Sequence, residues 1–127
     1  MKNLIVIGHE CNDTDMTYKA IKRVSMEHDV TSICVGSEKD ILTSVERQAH
    51  LFANHQDLLV FDASINIPKR KFFSFPISPM NLIFERAKQW ACNNVLLVLH
   101  TGNYARYDRI IKKALAQKMD VVILQIL

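Results

Sequence analysis

Residues 4–15 read Leu-Ile-Val-Ile-Gly-His-Glu-Cys-Asn-Asp-Thr-Asp. The unbroken apolar run from Leu4 to Ile7 predicts a strand buried on both faces, because a half-solvated strand would alternate apolar and polar residues. Gly8 closes the run, and Asp13 and Thr14 are candidate N-caps for a helix in which Thr17, Ile21 and Val24 share a face. Strand, glycine turn and capped helix make the opening of a βα unit.

The same grammar recurs along the chain. Further apolar runs lie at Thr31–Val35, Leu58–Phe61, Val95–Leu99 and Val121–Leu124, and all read as buried strands. Helical stripes separate them. Ile41, Leu42, Val45, Ala49 and Phe52 form one, with Ser37 and Asp40 at capping-box spacing ahead of it. Ser78 is a natural N-cap and Pro79 suits the first helical position of the next, where Leu82, Ile83, Ala87 and Trp90 are expected to face inward. Tyr107, Ile110, Ile111, Ala114 and Leu115 form the last buried face, with Lys112, Lys113 and Lys118 toward its negative end. The segment from Asp62 to Ile77 carries Pro68, Pro76 and three phenylalanines, Phe72, Phe73 and Phe75, and reads as a loop with at most a short edge strand. Alternation of this kind predicts a single Rossmann-like, doubly wound α/β domain over residues 1–127, with a mainly parallel five-stranded sheet and helices on both faces.

Composition agrees and narrows the function classes. The chain has 127 residues, 49% hydrophobic and 23% charged, with net charge +3 and mean hydropathy +0.03. No run approaches the ~18 apolar residues of a membrane helix, and the short apolar N-terminal run is not expected to be a signal peptide. Positive residues are interspersed with carboxylates, so nucleic acid is not an expected partner; the one basic run, Lys69-Arg70-Lys71, reads as a solvated loop flank. Three cysteines, Cys11, Cys34 and Cys92, without CxxC spacing fit a reducing cytoplasm.

Only three glycines occur, Gly8, Gly36 and Gly102, and no two are close enough for a glycine-rich phosphate loop. Each nevertheless follows a predicted strand, on the sheet edge where open α/β folds bind ligands. Polar residues follow the same strands. His9 and Glu10 follow the first, Ser37 and Lys39 the second, and His100, Thr101, Asn103, Tyr104 and Arg106 the fourth. Hydroxyls, amides and helix N-terminal amides suit ribose and phosphate, Lys39 and Arg106 suit an anion, and Tyr104 suits stacking on a base. Ser78 and Arg86, at the head and on the body of the third helix, complete the candidate ligand set. His9, Glu10, Cys11 and His100 lack metal-ligand spacing, so neither a metal nor a cofactor is expected. Glu10 and Glu85 are the candidate catalytic carboxylates, with pairing to surface Lys or Arg the competing reading.

In this layout the chain resembles the SLOG superfamily of Smf/DprA and LOG proteins, in particular its small YspA-like members. The resemblance is carried by Ile7-Gly8-His9-Glu10 through Asp13 and Asp15, by Val35-Gly36-Ser37-Glu38-Lys39-Asp40, by the helix around Glu85-Arg86, and by Thr101-Gly102-Asn103-Tyr104-Ala105-Arg106. The LOG motif Pro-Gly-Gly-x-Gly-Thr is absent. The resemblance implies a domain that binds a nucleotide-derived ligand: an ADP-ribose derivative, a cyclic nucleotide or a nucleoside phosphate. The expectation is that the chain senses or sequesters this ligand without transforming it, as an antagonist of nucleotide signalling, and forms a homodimer or higher homo-oligomer. The alternatives are a nucleotide N-glycosyl hydrolase or transferase, and a protein-interaction module with a vestigial crevice.

Overall fold

The computed structural model describes residues 2–8, 13–36, 44–63 and 79–126. One sheet contains β1 (Lys2–Gly8), β2 (Ser32–Val35), β3 (Leu59–Asp62), β4 (Asn93–His100) and β5 (Asp120–Gln125). The described helices are α1 (Thr14–Glu27), α2 (Ser44–His55), α3 (Pro79–Ala87) and α4 (Asp108–Ala116), the last entered through a short 3-10 turn at Ala105–Tyr107. Strand order is β3-β2-β1-β4-β5 and every pairing is parallel, as expected for a doubly wound α/β fold. None of the described helices is long and apolar enough to cross a membrane.

Alternate residues of each strand point to opposite faces, and this divides the core in two. Leu4, Val6, Ile33, Val35, Val95, Leu97 and Leu99 pack with Ile21 and Val24 of α1 and Val45, Ala49 and Phe52 of α2. Ile5, Ile7, Cys34, Leu96 and Val98 pack on the other side with Ile83, Phe84 and Ala87 of α3 and with Tyr107, Ile110, Ile111 and Ala114. The chain therefore winds outward from β1 with α1 and α2 on one face. It then returns to β4 and β5 with α3 and α4 on the other.

Three expectations about burial are corrected. β1, β2 and β4 are buried, but β3 and β5 are the sheet's edges and stay partly open, with Leu59 exposed. An edge strand has a neighbour on one side only, which its own apolar sequence cannot reveal. In α3 the inward stripe is Ile83, Phe84 and Ala87; Leu82 is half-buried, and Trp90 is 45% exposed. Trp90 lies beyond the last residue of the helix, so helical period does not set its direction. It stacks on Phe61 with ring centroids 4.4 Å apart and planes 8° off parallel. Leu115 lies on the solvent flank of α4, beside the buried Ala114.

Caps follow the sequence where they are described. Asp13 accepts the Met16 amide at 3.0 Å and ends the turn before α1, while Thr14 is the first helical residue. The proposed caps Ser37, Asp40 and Ser78 lie outside the described residues. Helix C-termini use no glycine. α1, α2 and α4 each end through a left-handed residue, Asp29 (φ 52°), Asp57 (φ 54°) and Lys118 (φ 61°). The next amide then reaches back five residues: Val30 to Ser25 O at 3.1 Å, Leu58 to Ala53 O at 2.9 Å and Met119 to Ala114 O at 3.0 Å. This is the Schellman arrangement, built here with residues that carry a Cβ at the position glycine usually holds.

The amino ends of the three inner strands are latched by buried polar side chains. Ser32 Oγ donates to Asn3 Oδ1 at 2.8 Å, Asn3 Nδ2 donates to Asn94 Oδ1 at 3.1 Å, and Asn94 Nδ2 donates to Ala91 O at 2.8 Å. Buried polar atoms at this edge are thus bonded within the protein.

Candidate functional site

At the carboxyl edge the strands end in a polar row: Gly8 on β1, Gly36 just past β2, Asp62 on β3, His100 on β4 and Gln125 on β5. β1 and β4 run side by side from Lys2↔Asn93 to Gly8↔Leu99, yet the chain leaves them toward opposite faces, to α1 and to α4. That divergence marks the topological switch point, the place where ligands bind in open α/β sheets.

Gly8 closes β1 at this point. A Cβ there would stand 2.9 Å from the Leu99 carbonyl oxygen and 3.1 Å from Val45 Cγ2. Its lack of a side chain is therefore required by the close approach of β4 and the first turn of α2. Gly102 has the opposite reason. Its φ of +141° is hostile to any L side chain, while the space around it is open, with Gln125 Nε2 the nearest atom at 3.9 Å. Gly36 is half-buried and directly follows β2.

Beside it, β4 closes with His100 and the loop after it. His100 ends β4 with 6% of its surface exposed. Its backbone carbonyl accepts the Ile126 amide at 2.7 Å, and its Nδ1 accepts the Gly102 amide at 3.1 Å. The Tyr104 ring leans over the imidazole with centroids 5.1 Å apart, and Tyr104 itself is half-exposed. Asn103 Oδ1 accepts the Ala105 amide at 2.9 Å and so starts the 3-10 turn. Arg106 lies in that turn with its guanidinium 5.5 Å from the centre of the Tyr107 ring. Thr101 is exposed at the loop's start.

The structure thus brings together Gly8, His100, Thr101, Gly102, Asn103 and Tyr104 around the switch point. Arg86 lies in α3, close enough to Cys34 of β2 for its charge to act on that thiol. Burial pushes the Cys34 thiol up to about 12, with Asp62 adding to the rise and Arg86 opposing it. Glu85 bridges helices. It pairs with Lys88 at 2.7 Å and with Lys113, in the last turn of α4, at 3.5 Å. The hydrogen bond from Lys88 holds its carboxyl below the usual carboxylate range. His9, Glu10, Ser37, Lys39 and Ser78, together with the Lys69–Phe75 stretch, lie outside the described residues.

Gln125 is a member of the edge that sequence reasoning passed over. It pairs in register with His100 and approaches Gly102. The available signal was its position, since it follows the apolar run of β5 as His100 follows that of β4. Among the described residues no group of three His, Cys, Asp or Glu could hold a metal ion.

A cavity of about 530 Å³ opens at the opposite edge, between the turns that precede β4 and β5, lined in part by Lys88, Trp90, Cys92 and Lys118. Two helix C-termini meet there, and Asn94 at its base is already bonded to Asn3, Ala91 and Lys88. The switch point is the stronger candidate, because it lies at the carboxyl ends of adjacent strands whose connections leave to opposite faces of the sheet. Neither a family model, nor a curated protein, nor a solved structure matches this sequence.

Proposed function

We propose that the protein binds a small nucleotide-derived ligand at the carboxyl edge between β1 and β4, and senses or sequesters it without chemistry. The observation that carries this reading is the switch point itself, flanked by Gly8 and by the His100–Tyr104 loop. Tyr104 supplies an exposed aromatic face for a base or ribose, and Thr101 and Asn103 supply polar contacts beside it. The ligand class comes from the SLOG resemblance. A binding role is favoured over glycosidic cleavage because Glu85, one of the two candidate carboxylates, is engaged by Lys88 and Lys113 in joining α3 to α4.

Calorimetry with AMP, cyclic AMP and ADP-ribose, followed by mass spectrometry of the recovered ligand, tests the reading. Binding with the ligand returned intact supports sequestration, and release of free base with turnover refutes it in favour of an N-glycosyl hydrolase or transferase. Gly102→Val places a branched side chain at φ +141° and should weaken binding at least tenfold, about 1.4 kcal/mol, while circular dichroism shows the fold retained. Unchanged affinity in that variant would move the site away from this loop.

A further inference from the structure

A backbone amide can only donate a hydrogen bond, so the contact from the Gly102 amide to His100 Nδ1 at 3.1 Å requires Nδ1 to be the bare nitrogen. In the neutral imidazole the proton then resides on Nε2. His100 is 94% buried on the measure of its 6% exposure, yet Nε2 has no partner among the described residues. The Nε2–H is thus a donor without a partner among the described residues, on a side chain that is otherwise enclosed.

The surrounding loop makes this donor more consequential. A glycine-rich phosphate cradle works by offering backbone amides. Here the amides of Gly102, Ala105 and Tyr107 are already engaged, by His100 Nδ1, by Asn103 Oδ1 and by the Tyr104 carbonyl at 2.9 Å. These three amides are therefore not offered to a ligand.

On the reading that the switch point holds a nucleotide, we infer that Gly102 locks His100 as the Nε2–H tautomer and that this proton is the donor that recognises a phosphate oxygen of the ligand. Recognition by an oriented imidazole replaces recognition by glycine amides, which is consistent with a chain that has one glycine in the whole loop. An N–H donor to an ionised phosphate oxygen is of the stronger kind of hydrogen bond. Its loss should lower affinity about ten- to a hundredfold.

The tautomer is read without ligand, from long-range proton–nitrogen correlation spectra of the imidazoles at pH 8, with the His100 signals assigned by their loss in His100→Gln. A protonated Nε2 and a bare Nδ1 are expected, and the reverse overturns the lock. The donor role is read by calorimetry with AMP, cyclic AMP, ADP-ribose and phosphate-free adenosine. His100→Asn keeps an acceptor for the Gly102 amide but has no donor at the Nε2 position, whereas His100→Gln restores an N–H there. The expected pattern is a tenfold or greater loss of phosphate-bearing probes in His100→Asn, recovery to within about threefold in His100→Gln, and no change for adenosine. Nucleotide binding that survives His100→Asn overturns this inference and leaves the nucleotide reading intact. An equal loss for adenosine assigns the proton to something other than phosphate and overturns it too. Failure of all four probes to bind the wild-type protein overturns both.

Discussion

Gly8→Ala tests the closest approach in the switch point. The added methyl would meet the Leu99 carbonyl oxygen at 2.9 Å, Val45 Cγ2 at 3.1 Å and Leu99 Cβ at 3.2 Å. Apolar carbons pack best at ~3.5–4.0 Å, so two contacts are too short and a third presses on backbone that cannot rotate away. Gly8 is paired in register with Leu99, and relief must come from parting β1 and β4 at their last rung or from moving the first turn of α2. Overpacking of this kind costs ~1–3 kcal/mol. Against it, replacing glycine stiffens the unfolded chain and returns ~0.4–1 kcal/mol. Because the shortest contact is to backbone, the cost falls in the upper part of that range, ~2–3 kcal/mol, and the net loss should be ~1–2.5 kcal/mol. With an unfolding entropy of about 2.1 cal/mol/K for each of the 127 residues, that is a fall in Tm of ~4–9 °C. Urea unfolding followed through the single tryptophan, Trp90, measures it directly. Val45→Ala removes Cγ2, so the double variant should be more stable than the sum of the two losses by ~0.5–1 kcal/mol. A Gly8→Ala protein with unchanged midpoint and slope would show that the strands have room there, and the reasoning from close approach would be wrong.

Two further outcomes follow from the fold. Lys118→Gly should raise stability by ~0.5–1 kcal/mol in the same urea assay, because glycine adopts the left-handed turn after α4 without the steric cost that a side chain bears at φ 61°; no gain would mean that the turn carries no strain. Cys34 should make stability fall as pH rises above ~9. Its folded thiol is pushed up to about 12 by burial, while an unfolded cysteine ionises near ~8.5, so in that window the unfolded state binds fewer protons than the folded one. Between pH 8 and 10.5 the wild-type protein should lose ~2–2.5 kcal/mol relative to Cys34→Ala, and a difference that stays flat with pH would contradict a desolvated thiol.

Much of the fold can be read in local pattern because the relevant physics is local. Leu4–Ile7 and Val95–Leu99 are continuous apolar runs, and only a strand covered on both sides tolerates them. The cap at Asp13 and the stripe Ile110, Ile111 and Ala114 depend on neighbours within one or two helical turns. The misjudged positions share a different cause. Trp90, Leu59 and Leu115 are apolar residues whose surroundings are set by chain distant in sequence. Phe84 is the reverse case, a fully buried side chain that no expected stripe included.

The site divides in the same way. The sequence alone places Gly8, Gly36, His100 and Gly102 at strand ends, since each directly or closely follows an apolar run. Only the tertiary structure makes β1 and β4 neighbours and sends α1 and α4 to opposite faces, which turns two strand ends into one switch point. It also separates two glycines that look alike in sequence. Gly8 is demanded by crowding from β4 and α2, and Gly102 by a backbone angle in open space. It pairs His100 with Gln125 and assigns the imidazole's two nitrogens different roles. The physical reason is that strand order, register and side-chain partners are non-local quantities. They come from contacts between residues tens of positions apart, and periodicity within a segment carries no record of them.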